Sequence, residues 1–132
     1  MTIEQLVTVL ARMVDAEIEP ANSGEPWFAP AMRWADEILP QGDPIQPGQS
    51  VSREVFMYMF YRAVSLTHQS DMRADITGAI DFVGVDPRFV DAVSWAVAAG
   101  IIQGTDEDQL IINPCTEISR AVVSQMIYNF NL

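Results

Sequence analysis

The sequence contains no lysine, one cysteine, one histidine and no apolar run approaching the roughly 20 residues needed to span a bilayer. Each absence removes a class of function. Without lysine, the seven basic residues are all arginine, set against 18 aspartates and glutamates for a formal net charge of -11. Nucleic-acid binding needs a basic footprint to neutralise phosphates, so direct binding of that kind is not expected. A lone cysteine, Cys115, excludes an internal disulfide. Together with the lone histidine, His68, it cannot furnish an ordinary zinc site without carboxylates. Asp106, Glu107 and Asp108 lack the spaced ligands and closing glutamate of a calcium loop. The expectation is a chain without metal, cofactor or catalytic centre. Met1 leads straight into an amphipathic pattern containing Glu4, where a secretory signal would place a basic and then an apolar region. As written, the chain reads as cytoplasmic, or as a cell-surface piece if it is a fragment of an exported protein.

What is present is a hydrophobic fraction of 49% over 132 residues, enough for a single domain spanning residues 1–132. One amphipathic design is written three times. Leu6, Val9, Leu10, Met13 and Val14 follow Met1-Thr2-Ile3; Phe56, Met59, Phe60, Ala63 and Val64 follow Val51-Ser52-Arg53; Val123, Met126, Ile127 and Phe130 follow Ile118-Ser119-Arg120. Spacings of three and four predict a helix with one apolar stripe in each case. Thr2, Ser52 and Ser119 are positioned to cap free backbone N–H groups, and Thr2 with Gln5 makes a capping box.

Between these copies lies a second pattern. Phe28, Ala31, Trp34 and Ala35 recur as Phe89, Ala92, Trp95 and Ala96 at a constant offset of 61 residues. Pro30 is tolerated only in a first turn, so the earlier helix should begin near Ala29, and Pro40 should end it. Residues 67–87 carry no long periodic element. Gly100 stands where a helix C-cap glycine belongs, and Leu110 to Ile112 read as a short extended segment. Trp34, Trp95 and the methionines are expected in the core, and Cys115 in a small buried contact. The chain therefore divides into a first capped helix (1–15) and two units of aromatic helix, loop and capped helix (26–66 and 79–131). No unit could bury its stripe alone, which is the logic of a repeat protein. The predicted fold is all-α, with the three capped helices as a central bundle surrounded by shorter helices and loops.

Pro-Trp-Phe-x-x-Ala-x-x-Trp-Ala at 26–35, Phe-x-x-Ala-x-x-Trp-Ala at 89–96, Gly-Ile-Ile-x-Gly at 100–104 and Asn-Pro-x-x-x-Ile-Ser-Arg at 113–120 resemble S-layer homology repeats. About two and a third repeats are covered, the first being truncated to its second helix. The resemblance implies a pseudo-threefold domain that binds anionic cell-wall glycopolymers, typically pyruvylated, in grooves between repeats. Carried over position by position, it implies that Arg53 and Arg120 bind the anion, beside Ser52 and Ser119, with Trp27 and Gly104 lining grooves. Ile3 stands where the first copy would have its arginine.

Physical chemistry adds its own view of the two arginines. A cation at the first position of a helix faces the positive end of the macrodipole, unfavourable by roughly 0.3 to 1 kcal/mol. A compensating anion is expected, either a carboxylate of the chain, such as Glu117 or an acid of the adjacent repeat, or that of a ligand. The net charge admits a second class of partner, a basic protein surface, which would make the chain an acidic protein-binding domain or phage-type inhibitor occupying a nucleic-acid groove. An apolar face left bare by the truncated repeat would favour a homodimer.

Overall fold

The computed structural model of the protein describes residues 1–39, 46–66, 71–102 and 110–130. Ser52 and Ser119 cap as their positions predict. The Ser52 Oγ accepts from the Val55 N–H at 3.4 Å, and the Ser119 Oγ accepts from the Val122 N–H at 3.2 Å. At the first copy the Thr2 N–H donates to Gln5 Oε1 at 3.1 Å, one half of the capping box. The Thr2 hydroxyl faces the Gln5 N–H in a geometry short of a full hydrogen bond, and its oxygen is buried without another partner.

The resulting elements are α1 (Ile3–Met13), α2 (Ala29–Ile38), α3 (Arg53–Val64), α4 (Val90–Ala98) and α5 (Arg120–Phe130). Short 3-10 turns at Phe82–Gly84 and Pro87–Phe89 lead into α4. Among the described residues the fold is all-α, with five helices and no sheet; strand-like pairing is confined to two isolated bridges. Pro30 sits in the first turn of α2, where its missing N–H costs no helical bond. Phe28 and Phe89 occupy the same N-cap position of α2 and α4, so the offset of 61 is structural as well as sequential.

One cluster of buried residues runs from Ile3 to Met126. Phe56, Met59, Phe60, Ala63 and Val64 of α3 are all in it, as the periodicity predicts. In α1 the stripe is rotated slightly: Val7 and Ala11 are buried with Ile3, Leu6 and Leu10, and Val9 is half-exposed. The rotation turns α1 toward both of its neighbours. α2 lies against α1, α4 lies against α3, and α1 runs beside α3. Each aromatic helix thus packs chiefly on the capped helix that precedes it in the chain.

α5 joins through side chains. Val123 and Met126 are buried, and the Phe130 ring lies 5.3 Å from that of Phe60 and 5.5 Å from that of Trp95. No outer helix covers it among the described residues, and Ala121, Val122, Ser124, Gln125 and Tyr128 are exposed. The same asymmetry separates the two tryptophans. Trp95, 1% exposed, is enclosed by Phe60, Tyr61 and Phe130, whereas Trp34 is half-exposed and gains no such cover. Trp95 is core as expected, and Trp34 packs against the core from a half-exposed position.

Helix ends follow the predicted chemistry and reveal one strained position. After α4, Gly100 at φ +77° lets its own N–H reach the Val97 carbonyl and the Ile101 N–H reach that of Ala96, a Schellman closure. α1 ends with the same pair of bonds, from Asp15 to Arg12 and from Ala16 to Ala11, but the left-handed residue is Asp15 at φ 52°. A non-glycine residue there is strained, and a carboxylate at a helix C-terminus opposes the dipole. Asp15→Gly should therefore raise stability by about 1 kcal/mol, read as a higher urea midpoint with unchanged m.

Cys115 is exposed, contrary to the expected burial. Pro114, one residue earlier, turns inward instead: it is buried, and its ring faces Gly84. The thiol is left at the rim, 3.8 Å from the Gly84 carbonyl. Residues 71–76 form no helix, and 110–112 pair with no strand. His68, Pro40 and the acidic run 106–108 lie outside the described residues.

Candidate functional site

The residues just before the three capped helices converge. The Val51 N–H donates to the Met1 carbonyl at 3.1 Å, the Ile118 N–H to the Val51 carbonyl at 2.9 Å, and the Met1 ammonium to the Ile118 carbonyl at 3.1 Å. These are equivalent positions in the three copies, each immediately before its capping hydroxyl, and the bonds close a ring. Two outer bonds repeat the relation. The Ile3 N–H donates to Gln49 and the Arg53 N–H to Thr116, both at 2.9 Å, each acceptor lying two residues before the ring position. Arg120 makes no counterpart bond among the described residues. The ring orients the starts of α1, α3 and α5 toward one hub, with Val51 and Ile118 buried beneath it.

Arg53 and Arg120 occupy equivalent helix starts and meet different surroundings. The Arg53 side chain is half-buried, and its Nε donates to the Ile112 carbonyl at 3.0 Å. Burial pushes its pKa below the ordinary value, and the nearby Asp81 carboxylate opposes the shift. Asp81 in turn accepts from the Ile112 N–H at 3.0 Å and the Asn113 N–H at 2.7 Å. The carboxylate that acts on Arg53 is thus Asp81, an acid of the following unit, at longer range than an ion pair among the described residues. Glu117 lies 3.9 Å from the Met1 ammonium and is itself exposed. Arg120 is exposed and forms no ion pair among the described residues. Beside it, Ser119 is exposed as well.

Glu54, next to Arg53, is a second polar group that the pattern did not single out. It is 8% exposed, and its Oε2 accepts the Asp86 N–H at 3.0 Å, fixing the turn into α4. With Ile3, Ser50, Tyr58 and Phe89 it lines a cavity of about 250 Å³ between the start of α1, α3 and that turn. Among the described residues the side chains of Asp81 and Glu54 bond to backbone more than 30 residues away in sequence, so no local spacing could have marked them.

Trp27 lies apart from the hub. It is 64% exposed and lines a concavity of about 580 Å³ with Arg12 and Asp15, at the C-terminal end of α1. Phe28 meets its ring edge-on, with centroids 5.5 Å apart. None of Ser52, Arg53, Ser119 or Arg120 lines this concavity, the cavity beside Glu54, or a third of about 270 Å³ near Trp34. The predicted site residues are therefore divided: Ser52 and Arg53 with Ser119 and Arg120 at the helix starts, and Trp27 at the opposite end of α1. Gly104 lies outside the described residues. Among the described residues no group of three or more His, Cys, Asp and Glu side chains could hold a metal ion. No helix among them is long and apolar enough to cross a membrane. The sequence matches no known family model, no curated protein and no solved structure.

Proposed function

We propose that this chain is a non-catalytic binding module of the S-layer homology type, with α1, α3 and α5 as the central helices of a pseudo-threefold repeat domain. Its ligand is the acidic group of a cell-wall glycopolymer, held at the start of α5. The observation that carries this is the closed ring of hydrogen bonds among Met1, Val51 and Ile118. Such a ring is what three copies of one unit produce when they are related by a threefold axis, and it brings the helix starts to one place.

Arg120 is the residue that remains available for an external anion. It is exposed, it stands at a helix start, and no carboxylate of the described residues forms an ion pair with it. Arg53, equivalent by position, is half-buried with its Nε on the Ile112 carbonyl and the charge of Asp81 nearby, and we assign it a structural role. The net charge of -11 does not forbid an anionic ligand there. Five of the 18 acids, Asp15, Glu17, Glu19, Asp36 and Glu37, sit elsewhere, beyond the far end of α1 and along α2. An 11-residue helix separates that region from the hub by about 16 Å, more than a Debye length at physiological salt.

Capture of purified wall polymer by the immobilised protein tests this reading. Polymer with its acidic substituents intact should be retained, and polymer stripped of them should bind about 10-fold more weakly or worse, since a charge-assisted bond is lost. Equal retention of the two preparations would contradict it.

A further inference from the structure

The concavity at Trp27 does not stand alone. It shares Ile18, Glu19 and Pro30 with the adjoining concavity near Trp34, so the two form one trough along the outer side of α1 and α2. Its charged lining is unbalanced. Asp15, Glu17, Glu19 and Glu37 face it, against Arg12 and Arg33. Arg33 is already engaged, with its Nη1 on Glu25 Oε2 at 3.1 Å, which leaves Arg12 as the opposing charge that has no carboxylate partner among the described residues. At one end stands the exposed indole of Trp27, held edge-on by Phe28 so that a face remains available.

We propose that this trough docks a basic peptide segment of a partner protein, and that it prefers arginine to lysine. The argument is charge complementarity joined to shape. A trough with four carboxylates repels the anionic glycopolymer proposed for the hub, and it attracts a chain of cations. An exposed tryptophan in an acidic setting distinguishes between cations. A guanidinium stacks flat on the indole while its N–H groups remain free to fork onto carboxylates, whereas an ammonium is a compact, strongly hydrated point charge. Asp15 supports the assignment, because its strained left-handed backbone places an acid where glycine would be the unstrained choice. The surface is independent of the hub, and the chain could bind at both.

Fluorescence anisotropy with labelled nona-arginine and nona-lysine peptides tests it on the full chain. Nona-arginine should bind several-fold more tightly than nona-lysine, and both affinities should fall steeply with added salt. Trp27→Ala should erase the preference between the peptides while leaving residual binding. The triple variant Glu17→Gln, Glu19→Gln, Glu37→Gln should weaken nona-arginine at least 10-fold. A variant with the same charge change elsewhere, Asp71→Asn, Asp75→Asn, Glu117→Gln, should bind as the wild type does. All the altered acids but Glu37, Glu17 and Glu19 lie outside the trough, and far-ultraviolet circular dichroism verifies that each variant is folded. Three results would overturn the proposal: equal loss in the two triple variants, which would mean attraction by net charge alone; an arginine preference that survives Trp27→Ala; or no peptide binding accompanied by quenching of Trp27 by neutral oligosaccharides, which would make the trough a sugar site.

Discussion

Trp95→Ala should destabilise the protein by about 3 to 5 kcal/mol, and Trp34→Ala by only about 1 to 2 kcal/mol, although the 61-residue offset pairs the two residues. The difference follows from cover. Trp95 is buried, with its ring within 6 Å of those of Phe60, Tyr61 and Phe130, so truncation removes three ring contacts and opens a cavity that rigid helices cannot collapse. Two of those partners belong to α3 and one to α5, and the loss would loosen the union of α5 with the rest. Trp34 borders the third concavity, where solvent already reaches it and can fill the space left behind. Urea unfolding of the two variants measures both values. Similar losses would mean that α5 contributes nothing to the core around Trp95.

Asp81→Ala should cost about 3 kcal/mol. Asp81 accepts two backbone N–H groups, from Ile112 and Asn113, and faces the half-buried guanidinium of Arg53. Hydrogen bonds to a charged group contribute more than neutral ones, and removing the acceptor leaves Arg53 without its opposing charge. Asp81→Asn keeps one acceptor and should fall between wild type and alanine. The local signature is amide hydrogen exchange: the Ile112 and Asn113 amides should exchange much faster in the variant, while amides in the middle of α1 change only with global stability. Loss of stability without faster exchange at those two amides would place the role of Asp81 elsewhere.

The sequence was most legible where one local mechanism acts. The caps at Ser52 and Ser119, the stripe of α3, the first turn around Pro30 and the glycine closure at Gly100 all depend on residues within a turn or two of one another. The repeat offset of 61 was equally visible, and the Phe28 and Phe89 that it pairs both stand at N-cap positions. What was not legible depends on long separations. That α2 packs on α1 and α4 on α3 is a choice between two neighbours that amphipathic spacing leaves open. The inward turn of Pro114 in place of Cys115 is decided by Gly84, 30 residues earlier. The sorting of Arg53 from Arg120 is decided by Asp81, which lies in an aperiodic stretch. Two arginines with the same local context therefore looked alike and are not.

That difference is where the functional reading is most exposed to test. Arg53→Gln and Arg120→Gln make the same chemical change at equivalent helix starts, and they should separate stability from binding. Arg53→Gln should lower the urea midpoint, because its tie to Ile112 and its opposition to Asp81 are lost, and should leave polymer affinity near wild type in the folded protein. Arg120→Gln should leave stability unchanged or slightly raised, since a cation is removed from the positive end of a helix dipole. The deciding measurement is equilibrium binding of the Arg120→Gln protein to purified wall polymer: a loss of about 10-fold or more is predicted, and wild-type affinity in that variant would contradict the assignment of the α5 start as the binding site.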